Sequence, residues 1–305
     1  MGYLFIEGQV PSSEKLTGVP VASNQRAGEL SITAPDPTPK EVSRMMARHR
    51  AQLTELLTNF GRVDMLSLDM WLGPAVWPEM RRTLLDLRKL QPNVRLRARG
   101  IGNYGDDYTP EGFVSGSKEN TDMPWMVIYP LGASFSYDSE AKNYKGAGWI
   151  IRNVVDAVAK GGNFQIGVGP DAHGEFHPAA VSQLREAGQW LKLNGEAIYA
   201  TRPRAADLWH EGDTIRYSKS KDGKTTYCIL LNWPGRSVAL RCLRKDPNLQ
   251  IRILGYPRAL HWQSDSLKWL VVEIPEALQD PSKRPCEHAG TLRLTSAYNT
   301  EANNG

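Results

Sequence analysis

An aspartate that closes an apolar run is costly unless it has a partner or a task. Asp69 follows Val63-Asp64-Met65-Leu66-Ser67-Leu68 and precedes Met70-Trp71, which puts a carboxylate at the end of a strand in poorly solvated surroundings. The next apolar run, Val94 to Ala98, leads into Arg99-Gly100. The loop beyond carries Asp106, Asp107 and Glu111 in Tyr104-Gly105-Asp106-Asp107-Tyr108-Thr109-Pro110-Glu111. Two carboxylates in different environments suit glycosidic bond hydrolysis: an ionised one attacks or supports the anomeric carbon, and a protonated one releases the leaving oxygen. Arg99 would hold a carboxylate ionised or bond a sugar hydroxyl. Trp71, Tyr104, Trp125 and Tyr129 offer aromatic faces to the C–H side of a sugar ring, with plain core packing as the competing use of each. For Asp69 the competing use is to cap the loop that follows it.

Two neighbouring patterns point elsewhere and fail on their context. Gly100-Ile101-Gly102-Asn103-Tyr104-Gly105 has the spacing of a dinucleotide fingerprint, yet that site needs a helix opening at the third glycine. Asp106-Asp107 would repel phosphates, and Pro110 biases Thr109 away from the helical region. Asp171-Ala172-His173-Gly174-Glu175-Phe176-His177 holds two histidines and two acids, but without a helix to align the imidazoles it reads as a solvated loop, not a metal site. No nucleophile elbow, phosphate loop or paired Cys and His motif occurs, and Cys228, Cys242 and Cys286 lack metal or redox spacing.

The elements needed to position these groups are legible as an alternation. Tyr3 to Ile6 reads as a short strand, followed by a long loop from Gly8 to Pro39. Thr38-Pro39-Lys40-Glu41 has the form of a capping box, and Val42, Met45, Met46, Leu53, Leu56, Leu57 and Phe60 follow at helical spacing up to Gly61. A strand over 63–68, a helix over 78–90 and a strand over 94–98 come next, then an irregular stretch over 100–134. Residues 145–160 read as a helix stopped by Gly161-Gly162, 164–168 as a strand and 178–193 as a helix. This rhythm predicts an α/β fold with a parallel sheet, a partial (β/α) barrel-like domain with too few units to close an eight-unit barrel. Beyond Thr201-Arg202-Pro203-Arg204 the runs at 214–218, 225–231, 237–243, 249–254, 267–274 and 291–294 predict a C-terminal antiparallel β-sandwich, with a hairpin turn at Lys221-Asp222-Gly223-Lys224. The expected division is 1–203 and 204–305, with a frayed tail from Ser296.

Composition bounds the partners. The chain has 305 residues, 37 Lys and Arg against 33 Asp and Glu, and a formal charge of +4; its mean hydropathy is -0.44. No basic block suggests nucleic acid, and no apolar run approaches the roughly 20 residues of a bilayer span. Met1 to Glu7 lacks the basic and apolar regions of a signal peptide, so the compartment is left open.

Taken together, the segments resemble the later part of a retaining α-L-fucosidase of glycoside hydrolase family twenty-nine. The resemblance runs through Leu53-Thr54-Glu55-Leu56-Leu57-Thr58-Asn59-Phe60-Gly61, Leu66-Ser67-Leu68-Asp69, Arg97-Ala98-Arg99-Gly100 and Gly105 to Glu111. It continues through Lys160-Gly161-Gly162-Asn163, Gly167-Val168-Gly169-Pro170 and Asn194 to Pro203. It implies Asp69 as nucleophile, Arg99 as a substrate-binding residue and Glu111 as acid/base, with Glu119 as the alternative for the last role. It also implies an exo-acting enzyme on fucosylated glycans, a barrel-like catalytic domain followed by a β-sandwich, and no metal or organic cofactor. Family members are often secreted, periplasmic or lysosomal. Two departures stand out: Ser67 replaces an aromatic wall beside the nucleophile, and the family's first barrel units with their His-rich strand ends have no counterpart. An open barrel side predicts homo-oligomerisation, and the competing expectation is a weak or inactive glycan-binding or structural module.

Overall fold

The computed structural model describes residues 4–6, 38–68, 76–97, 105–107, 109, 124–243, 246–267 and 269–295. Contacts divide the chain into two compact units, 1–109 with 122–124, and 110–121 with 125–305.

In the first unit, Thr38 starts helix α1 (Pro39–Asn59) through the expected capping box. The Glu41 N–H donates to Thr38 Oγ1 at 3.3 Å and the Thr38 N–H to Glu41 Oε2 at 2.7 Å, satisfying two otherwise orphaned donors. Gly61, at φ 77°, follows the C-cap. Strands β1 (Leu4–Ile6), β2 (Met65–Leu68) and β3 (Arg95–Leu96) form a parallel sheet in the order β1-β2-β3, with Leu4 opposite Leu66 and Met65 opposite Arg95. Helix α2 (Trp77–Leu90) joins β2 to β3. Met46, Leu53 and Leu57 of α1 share one core with Met80, Leu84 and Leu87 of α2 and with Leu66, Leu68 and Leu96 of the sheet. Phe60, expected on the buried stripe, is 68% exposed, because the helix ends one residue earlier and Phe60 caps it at φ −117°. Gln91 ties the two helices: its amide donates to Leu57 O and Gly61 O at 2.8 Å each and accepts from the Val63 N–H at 2.9 Å.

Among the described residues, the second unit opens near a strand where the sequence suggests irregular chain. β4 (Met126–Pro130) pairs in parallel with β5 (Asn163–Gly167), Met126 opposite Asn163 and Pro130 opposite Gly167. Its Met-Val-Ile-Tyr run has no period to read, and only its flanking Pro124 and Pro130 mark it. Helices α3 (Ala147–Ala159) and α4 (Pro178–Asn194) pack on this pair. The strands of the C-terminal sheets are β6 (Thr201–Arg202), β7 (His210–Glu211), β8 (Ile215–Ser220), β9 (Thr225–Leu230), β10 (Ser237–Leu240), β11 (Gln250–Ile253), β12 (Trp262–Ser264), β13 (Leu270–Glu273) and β14 (Gly290–Thr295). One sheet runs β11-β14-β9-β8-β6 with β7 also on β8, and the other runs β10-β13-β12. All their pairings are antiparallel. The two sheets enclose a core of Tyr217, Cys228, Leu230, Leu240, Ile251 and Val272. β12 is absent from the sequence reading, and Thr201-Arg202, expected between the two regions, pairs with Ser220 and Lys219. The architecture is α/β followed by a C-terminal antiparallel sheet domain.

Gly161 and Gly162 end α3 in different ways. Gly161 takes φ 85° and donates to Val158 O at 3.0 Å, and the Gly162 N–H reaches Ala157 O at 2.8 Å, satisfying the last carbonyls of the helix. Gly162 has no positive φ; its requirement is space, since a Cβ there would stand 2.3 Å from the Trp125 indole. Gly162→Ala therefore overpacks a buried ring and should cost about 1–3 kcal/mol, measured as a lower urea midpoint at unchanged slope. A variant as stable as the parent would refute the close-contact role.

Candidate active site

The carboxyl ends of β2 and β3 are tied by one buried cation. Arg97, 1% exposed, donates from Nη1 to Ser67 Oγ at 2.9 Å and from Nε to Thr109 Oγ1 at 2.6 Å, while its backbone N–H bonds Leu66 O at 3.0 Å. Ser67, the departure from the aromatic wall usual in the family it resembles, is thus a hydrogen-bond acceptor for a guanidinium. A larger ring would displace it. Arg97 was not among the sequence-selected residues. Its signal in the sequence is its place within the Val94-to-Ala98 strand run, one residue beyond Leu96.

The acids after β3 divide sharply. Asp106 takes a two-pronged contact from Arg88 Nη2, at 2.6 and 2.7 Å, and accepts the Leu96 N–H at 2.7 Å. Its role is to close the loop onto β3 and α2. Asp107 is 6% exposed and ion-paired through Oδ1 with Arg95. Its Oδ2 is buried without a hydrogen-bond partner among the described residues. Burial pushes the Asp107 carboxyl above the usual aspartate range; Arg95 opposes that rise and neighbouring Asp106 adds to it.

Of the aromatic residues selected from sequence, Trp125 is buried at 5% exposure with Gly162 against its ring. Tyr129 joins a cluster in which Trp149 stands edge-on at 5.6 Å and Phe164 at 6.0 Å. Asp69, Trp71, Arg99, Tyr104, Glu111 and Glu119 lie outside the described residues. His177 caps α4, its Nδ1 accepting from the Ala179 N–H at 3.2 Å, and Asp171 Oδ1 accepts the N–H groups of His173 and Glu175 at 2.8 Å each. No group of three or more metal-ligating side chains gathers among the described residues, and no helix there is long and apolar enough to cross a membrane.

A feature that sequence reading did not anticipate lies at the carboxyl ends of β4 and β5. A cavity of about 300 Å³ is walled by Gly132, Ser134, Asp138, Glu140, Gly167 and Gly169 among others. Lys145 fixes the loop by donating to Pro130 O and to Gly132 O, the latter at 2.8 Å. Backbone amides and carboxylates on a concave wall at strand ends are suited to bonding hydroxyl-rich ligands.

Two family models match the chain, alpha-L-fucosidase over residues 27–196 and alpha-L-fucosidase C-terminal domain over residues 211–295. The chain is 30% identical over 207 residues to the tissue alpha-L-fucosidase of Rattus norvegicus, which covers 67% of this chain and 42% of that one. To the tissue alpha-L-fucosidase of Homo sapiens it is 35% identical over 147 residues, 48% of this chain and 31% of that one. The solved structure of alpha-L-fucosidase isoenzyme 1 from Paenibacillus thiaminolyticus superposes with a TM-score of 0.73 at 25% identity, over 87% of this chain and 64% of that one. The chain therefore spans less than half the length of these two curated relatives.

The polar cluster at β3 makes two measurable statements. Ser67→Ala removes an acceptor from a buried guanidinium and should cost about 1–3 kcal/mol in urea unfolding; no change would show that Ser67 does not hold Arg97. The second concerns pH. Because the native Asp107 carboxyl titrates above its unfolded value of about 3.9, the folded state holds its proton longer, so this group's contribution to stability is present below that value and lost as pH rises through the native one. Asp107→Asn should therefore gain stability relative to the parent as pH rises from about 4. A difference that stays flat from pH 3 to 7 would contradict the upward shift.

Proposed function

Because the chain belongs to the alpha-L-fucosidase family, we propose that it is a retaining exo-α-L-fucosidase releasing terminal α-L-fucosyl groups from fucosylated glycans. The observation that carries this reading is the family match over 27–196, which contains both proposed carboxylates. The Ser67–Arg97 bond ties together the ends of β2 and β3, the strands that Asp69 and Arg99 follow in the sequence. The described register pairs Met65 with Arg95 and Leu66 with Leu96. Asp106 and Asp107 are already engaged by Arg88 and Arg95, which favours Glu111, with Glu119 in reserve, as the second carboxyl.

In this reading Asp69 attacks the anomeric carbon while the acid protonates the departing oxygen, giving a covalent fucosyl ester. The same residue, now ionised, deprotonates the water that displaces Asp69, and the sugar leaves with its configuration retained. Arg99 keeps the nucleophile ionised or binds a hydroxyl, and Trp71, Tyr104 and Trp125 contribute the aromatic side of the sugar site. No metal or organic cofactor is needed for these steps. The proposal includes a partial (β/α) barrel over 1–203 ahead of a sandwich domain over 204–305. It also includes homo-oligomerisation through the open side of the barrel, supported by the unpaired edges that the three-stranded and two-stranded parallel sheets have among the described residues.

One observation favours a second reading. Matches reaching only 31–42% of the length of these relatives are also what a catalytically weak, glycan-binding or structural module would give. An aryl α-L-fucoside separates the two. The hydrolase should release the aryl group and first form α-fucose by NMR, Asp69→Ala should abolish release, and Glu111→Ala should slow it by about 10²–10⁴, less with a good leaving group. First-formed β-fucose would exclude retention, and absence of turnover with fucose still bound would favour the module. Light scattering should show a species larger than the monomer; a monomer with ordinary turnover would remove the oligomer from the proposal.

A further inference from the structure

The second unit holds another concave site that the fucosidase reading does not use. A cavity of about 270 Å³ opens between the first turn of α3, the turn after β9 and the approach to β14. Its walls carry Arg152, Asn232, Trp233, Arg284, Glu287 and His288, with Gly148 at the floor. The two arginines are held by neutral oxygens. Arg152 Nη2 donates to Leu231 O at 3.1 Å and Asn232 Oδ1 at 2.6 Å, and Arg284 donates to Leu278 O and Gln279 O at 3.2 Å each. Neither has an acidic partner among the described residues, so both charges are fixed in place but not cancelled.

The rest of the lining is also short of acceptors. The Trp233 indole nitrogen is shielded from solvent without a hydrogen-bond partner among the described residues, and its ring carries the Arg284 guanidinium at 4.5 Å. Helix α3 begins without a side-chain cap and without an acid in its first turn, so no carboxylate of its own offsets the positive end of its dipole. Gly148 lets that turn approach: a Cβ there would meet His288 Nδ1 at 3.4 Å. His288 is itself oriented by Glu186 through Nε2 at 2.6 Å. Glu287, exposed at the rim, is the one carboxylate on the wall.

Two guanidiniums without acidic partners among the described residues, beside a helix start that carries no acid, call for an anionic ligand rich in acceptors. The volume is about nine times the ~30 Å³ that one water occupies in the liquid, too large for a bare oxyanion to fill. We propose that this cavity binds a hexose-sized sugar unit bearing a carboxylate or a sulfate ester, recognised by Arg152 and Arg284.

Calorimetric titration of the full chain tests this without turnover, so its outcome is independent of the hydrolase reading. The probes are glucuronic acid, N-acetylglucosamine 6-sulfate, glucose and sodium sulfate, each at low and moderate salt. One or both acidic sugars should bind about tenfold or more tightly than glucose, with added salt weakening them, and their ratio tells carboxylate from sulfate recognition. Arg152→Gln and Arg284→Gln should each reduce that affinity by about tenfold or more. Glu287→Gln, an exposed change that leaves the packing alone, should tighten it by up to about fivefold. Equal affinity for glucose and both acidic sugars, or folded arginine variants that bind as the parent does, would overturn the site. Sodium sulfate binding as tightly as the sulfated sugar would overturn its sugar-sized character.

Discussion

A strand has only two faces, and the second unit is organised by a strand whose faces are both taken. Every residue of β9 is buried. Tyr227 and Ile229 belong to the core shared with α3 and α4, while Cys228 and Leu230 belong to the core between the two sheets. The helical layer and the C-terminal sheets therefore meet on one backbone. A one-residue slip of β9 would exchange the two sets and misplace both cores at once. The same strand sits between β8 and β14, which fix its register through Tyr217 opposite Cys228 and Leu292 opposite Cys228. Trp190 reinforces the join from the helical side, its indole donating to Ala289 O at 2.6 Å just before β14 begins.

The same rule of alternation governs the first unit with polar groups in place of apolar ones. Leu66, Leu68 and Leu96 go to the helices α1 and α2, so Ser67 and Arg97 project to the other side of the sheet. Burying a guanidinium there is expensive unless its donors are met, and Ser67 and Thr109 meet two of them. Thr109 lies beyond the acidic loop, so Arg97 also fixes where that loop returns, with Asp107 bridged to Arg97 along the backbone. Arginine from three positions, 88, 95 and 97, thus secures one loop onto one strand end. Loops that carry functional groups need such anchoring when the strands beneath them are short.

Much of this was legible in the sequence because its signals were local. The capping box at Thr38, the apolar spacing of α2, the Gly161 helix stop and the 221–224 turn each depend on residues within a few positions of one another, and each appears in the structure. What escaped was set by distant partners. β4 is four apolar residues and a proline that become a strand only through β5; β12 exists by pairing with β13. Gly162 looks like a second helix stop until Trp125, 37 positions earlier, is seen against it. For the candidate site, the sequence singles out Asp69 and Glu111 by family resemblance but gives no sign of what engages Asp106 and Asp107. Asp106 and Asp107 are ranked by arginines on α2 and β3, whose side chains no spacing rule assigns.

That ranking bears on how such a site could keep two carboxyls chemically different. An acid pair works only if one member stays ionised and the other holds a proton at working pH. Further acids close by would raise both members through like-charge repulsion. Here the loop that supplies the proposed acid also contains Asp106 and Asp107, and each is answered by its own guanidinium within ion-pair distance. Asp106, at the surface, is held by Arg88 and a backbone N–H. Asp107, deeper, is raised by burial and so carries less charge than an exposed aspartate would near its native titration. Both effects lower the negative field that the loop would otherwise impose on its neighbours. The arginines beside β3 therefore serve two ends with one set of contacts: they hold the loop to the strand, and they offset the charge of its two aspartates.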